Sequence, residues 1–135
     1  MTDDIALTSD GLIKNLLNNL PTGYTKKLVK LPNGKFTTPA SSKWLRVSFI
    51  DGAKSNVEAG GSYKRTNALF VIDSFYPKGL GDQAQLQELK VLGDLYENKE
   101  IGNAKCFEAD PSILGEDGSW YHCPVTINLR TIWRG

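Results

Sequence analysis

EAGGSYKRTNALFVIDSFYPKGLGDQAQLQELKVLG, residues 58–93, decides the fold. It opens on glycines and positive charges and runs into TNALFVIDSFY, a strand apolar on both faces at its centre. Pro77 ends that strand. Gly79 and Gly81 allow a tight turn. Asp82 is placed to cap a helix, and Gln85 three residues later is placed to complete a capping box. Leu86, Leu89, Leu92 and Tyr96 then recur at helical spacing, with Leu95 flanking them. The stretch is a strand, a turn and a covering helix, with no catalytic motif.

Before it, KWLRVSFI alternates: Leu45, Val47 and Phe49 share one side, Trp44, Arg46 and Ser48 the other. Between the two strands DGAKSNVEAGGSYKR, residues 51–65, reads as a long polar loop. Its glycines Gly52, Gly60 and Gly61 suit it to reshaping on contact. Nearer the start, LVKLPNGKF holds a short strand and a turn at Pro32, Asn33 and Gly34. TSDGLIKNLLNNLP reads as a first helix capped by Thr8 or Ser9, with Leu12, Ile13, Leu16, Leu17 and Leu20 on one face. After the second helix, NAKCFEADPSIL gives a strand and a bend. SWYHCPVTINLRTIW gives the cleanest alternation. Tyr121, Cys123, Val125, Ile127, Leu129, Thr131 and Trp133 share one side; His122, Thr126, Asn128 and Arg130 share the other. This order predicts an α+β domain over residues 1–135: a mainly antiparallel sheet with two helices packed on one face.

The totals agree. A chain of 135 residues with 40% apolar and 23% charged residues can build one packed core. A formal net charge of +1 is no footprint of a dedicated nucleic-acid binder. The acidic, polar start MTDDIALTSD is no secretory signal, and no apolar run reaches membrane-spanning length. Synthesis in the cytoplasm is therefore expected, with Cys106 and Cys123 as reduced, half-buried side chains.

The search for chemistry returns little. The one histidine, His122, reads as a solvated strand residue. HExxH, CxxC, P-loop and GxSxG patterns are absent, and the acidic residues form no pair suited to acid–base work. PKGLGD lacks phosphate-loop spacing and reads as a strand-to-helix turn made by Pro77, Gly79, Gly81 and Asp82. No catalytic residue, cofactor or metal is expected. Trp44, Trp120 and Trp133 fit either the core or an interface between subunits. Lys54, Lys64 and Arg65 fit a solvated loop or a contact with a polyanion. The candidate assembly surface is Trp44, Arg46, Lys54, Lys64, Arg65 and Trp133.

FTTPASSKWLRVSF, YKRTNALFVIDSFYPKGLGDQAQLQELKVLGDLYEN and GSWYHCPVTINLRTIW, in this order, resemble the phage tail-terminator-like family. Trp44, Leu45, Arg46 and Val47 match its first strand pattern, Pro77, Gly79 and Gly81 its strand-to-helix turn, and Pro124, Val125 and Ile127 its last strand. Residues 23–34 depart from the pattern. The resemblance implies a non-catalytic virion protein of the tail. It would form a homo-oligomeric, commonly hexameric ring, assembled in solution or only on the tail. Such a ring caps the head-proximal end of the tail tube and stops polymerisation. It meets tail tube protein on one side and head connector protein on the other, and DNA passes through its centre without sequence-specific binding. No membrane is involved. A head–tail connector or neck protein of similar size is the alternative within virion assembly. A small cytoplasmic enzyme or ligand-binding domain is the alternative of another class, and it requires a deep pocket lined by His122, Asp73 or Glu88.

Overall fold

A computed structural model describes residues 5–56 and 63–134. The order is α1 (Ile5–Leu17), a 3-10 turn (Lys26–Leu28), β1 (Val29–Lys30), β2 (Trp44–Asn56), β3 (Tyr63–Pro77), α2 (Gln83–Asp94), β4 (Glu100–Ile101), β5 (Ala104–Pro111), β6 (Gly115–Asp117) and β7 (Trp120–Arg134). The strands form one sheet in the order β1-β2-β3-β7-β5-β4, with β6 also on β7. Every pairing is antiparallel except β1 with β2. This is the expected α+β architecture.

Register explains the core. Val47, Ile72 and Val125 lie abreast across β2, β3 and β7. On the next rung of the same face stand Phe49, Phe70 and Ile127. Leu12 and Leu16 of α1 and Leu89, Leu92 and Tyr96 of the α2 segment close over that face in one cluster. Each large apolar side chain buried there contributes about 1.5–3 kcal/mol. Polar bonds fix the helices against each other: the Tyr96 hydroxyl donates to Leu12 O at 2.6 Å, and Asn15 Nδ2 donates to Leu95 O at 3.0 Å.

Several local expectations are corrected. Helix α1 begins at Ile5, so Thr8 and Ser9 lie inside it. Thr8 is buried and bonds Asn103 Oδ1 at 2.6 Å, tying α1 to the β4–β5 turn. The expected capping box does not form: Asp82 stands at the N-cap without a side-chain cap bond. Gln85 is fully buried and donates through Nε2 to Ser74 O at 3.0 Å and Tyr121 O at 2.9 Å. A side chain that stitches helix to sheet is unavailable to its own helix end. Cys106 and Cys123 are fully rather than half buried, with free thiols. Burial pushes Cys106 up to about 11 and raises Cys123 as well, so both thiols stay protonated and inert near neutral pH.

The largest correction concerns residues 51–65. Most of the expected loop is strand: β2 continues to Asn56 and β3 starts at Tyr63. Polar side chains do not prevent pairing where two long strands run on past the core. The register slips between Asp51 and Lys54, a bulge at Gly52. A Cβ built on Gly52 would stand 1.9 Å from the backbone oxygen of Asn67, so only glycine fits this close approach. Gly60 and Gly61 lie outside the described residues.

Candidate assembly surfaces

The sheet face opposite the helices carries the first cluster. Trp44, Phe75 and His122 lie abreast on β2, β3 and β7, and Arg46, Asp73 and Pro124 form the next rung. The three rings stack, with centroids 4.1 Å apart for Trp44–Phe75 and 4.4 Å for Phe75–His122. Phe36 and Trp120 pack on Trp44 from the segment before β2 and from β7. Asp73 sits between Arg46 and His122. Its Oδ2 accepts from Arg46 Nε at 3.1 Å, and its Oδ1 meets His122 Nε2 at 2.6 Å. His122 is therefore not a solvated strand residue: it is buried at 8% exposure, because the aromatic stack covers it.

A second cluster joins the chain before β2 to α2. Glu88 accepts from the Tyr24 hydroxyl and, at 2.7 Å, from Lys43 Nζ. Lys43 also donates to Thr22 O at 3.1 Å and stands over the Tyr24 ring at 4.5 Å. Burial, and next the adjacent Glu88 carboxylate, push the Tyr24 and Tyr76 hydroxyls well above the usual phenol range. Glu88, His122 and Asp73 are thus bonded into the protein's own clusters. Among the described residues no three His, Cys, Asp or Glu side chains converge as metal ligands.

The sequence-derived surface residues fall in two places. Trp44 is buried at 7% exposure and shapes the surface from beneath. Arg46 is part-exposed but already paired with Asp73. The others gather at the far end of the sheet, where the arms of β2 and β3 extend beside β7. Register sets Lys64 between Asn56 and Trp133, Arg65 between Ser55 and Ile132, and Lys54 opposite Thr66. Pro77, Gly79, Gly81 and Asp82 lie at the opposite end. Gly79 and Gly81 have φ of +90° and +75°, the left-handed region that glycine enters without strain. Leu80 between them is exposed, as are Ile113 and Leu114 beside β6.

The sequence reading missed both polar clusters. The signal was present in Asp73, a lone carboxylate inside LFVIDSFY. Such a charge in an apolar run requires partners, and only the register names Arg46 and His122 as those partners.

Comparison with known proteins completes the assignment. A family model described as "Phage tail terminator protein" matches residues 12–129. No curated protein matches the chain. Eight chains of solved structures do. One of them aligns with a TM-score of 0.69 over 98% of this chain and 99% of its own, at 16% identity, a likeness of fold. The match from within α1 to Leu129, on a sheet, turn and helix of the expected order, places the chain in the phage tail terminator family, a family of structural proteins of the virion tail.

Proposed function

We propose that this protein forms a ring, a hexamer by likeness to its family, on the head-proximal end of the finished tail tube. The ring stops addition of tube protein and offers its other side to the head connector, with DNA passing through the centre. The observation that carries this reading is the family match across residues 12–129. The geometry favours it over an enzyme. The polar groups with chemical potential, Asp73, His122, Glu88 and Lys43, are engaged with one another. What the molecule offers outside is shape and charge, which is what capping a tube requires.

Within this reading, the extended arms bearing Lys54, Lys64 and Arg65, together with Trp133 beside them, contact acidic groups of the tube or the DNA in the channel. Trp44 and Arg46 hold the sheet surface towards the opposite end, where Trp44 pairs with Phe75 just before Pro77. The turn at Pro77, Gly79, Gly81 and Asp82 sits at the other pole and faces away from the arms. Purified protein mixed separately with tail tubes and with portal-containing heads tests the assignment. Co-sedimentation with tubes, and decoration of one tube end by negative stain, is the expected result. Binding to heads alone would assign the protein to the neck instead.

A further inference from the structure

We infer that the two lateral edges of the sheet are complementary and that this protein associates head to tail through them. The inference rests on the ring reading above and names the surfaces that meet.

From residue 11 to residue 50 the chain carries no aspartate or glutamate. Within that span Lys26, Lys27, Lys30 and Lys35 are all exposed along the β1 edge. Lys26, Lys27 and Lys35 rim a groove of about 450 Å³ between the 3-10 turn and residues 35–37, with the half-buried side chains of Leu28 and Phe36 in its walls. The opposite edge, formed by β5, β6 and the link between them, has the reverse character. Glu108, Asp110, Glu116 and Asp117 are exposed there. Between them Ile113 and Leu114 stand out at 50% and 64% exposure. One edge is thus an apolar groove with a basic rim, and the other is an apolar projection with acidic flanks. The Lys78–Glu116 contact, at 3.8 Å between exposed side chains, leaves Glu116 free to exchange partners.

The occupant of the groove is a second copy of this chain, because the matching projection lies on the chain itself. The contact is heterologous, since the two patches differ, and a heterologous contact makes either a closed ring or an open filament. Register favours the ring. Val29 pairs with Leu45, Leu45 with Ser74, and Ser74 with Cys123. Ser112 N–H donates to Pro124 O and Leu114 N–H donates to His122 O, which sets Ile113 beside Cys123. Groove and projection therefore end the same rung of the sheet. Joining them advances the next subunit little along the strand direction, so successive copies stay level.

Charge reversal tests this. One variant carries Lys26→Glu, Lys27→Glu, Lys30→Glu and Lys35→Glu, so both its edges are acidic; a second carries Glu108→Lys, Asp110→Lys, Glu116→Lys and Asp117→Lys, so both are basic. Sedimentation velocity over a range of concentration and salt reads association, and melting curves check that each variant folds. The parent is expected to self-associate, weakening about 10-fold or more as salt shortens the screening length to a few ångströms. Each variant alone is expected to stay monomeric, and the two mixed are expected to associate. Ile113→Asp, at an exposed position, is expected to abolish association without altering the fold. Reversed variants that associate like the parent, a mixture that stays monomeric, or a parent monomeric at every concentration each overturn the inference. Tube capping is scored in parallel. A parent that caps tubes together with reversed variants that cap equally well removes this interface but leaves the terminator reading. Association of the mixture by a parent that never engages tubes does the opposite.

Discussion

Ile127→Ala probes the assignment of the two sheet faces, on which every surface described above depends. Ile127 is fully buried in the middle of β7, abreast of Phe70 on one side and Ala109 on the other. The substitution removes three carbons, and at about 0.8 kcal/mol per buried carbon the transfer cost is about 2.4 kcal/mol. Whatever cavity the surrounding β3 and β5 side chains fail to fill adds to this, for a total of about 2–5 kcal/mol. With an unfolding entropy of about 2.1 cal/mol/K per residue, that loss lowers Tm by roughly 7–18 °C. Urea unfolding followed by circular dichroism measures it, with an unchanged m-value as the sign that the denatured state is unaltered. Asn128→Ala is the control on the opposite face. Asn128 makes only a 3.4 Å contact to Asp110, and the expected change is about 0.5 kcal/mol or less. A loss below about 1 kcal/mol for Ile127→Ala, or equal losses at the two positions, refutes the face assignment.

Asp73→Ala leaves His122 without its partner in a buried site and Arg46 without its carboxylate; a loss of about 1–3 kcal/mol is expected by the same urea titration. Alkali should destabilise the fold. The protonated Cys106 thiol and Tyr24 phenol are favoured in the native state; the thiol's contribution is complete below the ordinary thiol range and is lost as pH rises towards about 11, while the phenol's begins to be lost only above the ordinary phenol range. The share of tyrosine absorbance due to Tyr24 and Tyr96 should therefore rise together with unfolding rather than before it. Replacing Lys54, Lys64 and Arg65 by serine should leave Tm nearly unchanged and weaken tube binding, which sedimentation with tubes at low and moderate salt measures.

Much of the core was legible in the sequence because strand alternation is strict wherever one face is buried. Val125, Ile127 and Leu129 on β7, Leu45 and Val47 on β2, and Leu89 and Leu92 on α2 all face the core as their spacing predicts. The turn at Gly79 and Gly81 was legible for a different reason, since glycine pairs after a proline mark backbone that must turn sharply. The arms of β2 and β3 were not. Their residues are polar on both sides, so no burial pattern distinguishes paired strand from loop. His122 misled because alternation assigns a face, not an environment. The outer face at that end is covered by Phe36, Trp44 and Phe75 through contacts distant in sequence. Gln85 misled for a related reason, since its partners Ser74 and Tyr121 come from two other strands.

The central claim is that this chain ends a tail tube. Tail tube protein polymerising in vitro, with and without this protein, tests it most directly through the distribution of tube lengths measured by electron microscopy. The account predicts that added protein halts elongation, narrows the lengths, and leaves a ring of density at one end of each tube. Tubes that grow to the same lengths with the protein unbound would contradict it.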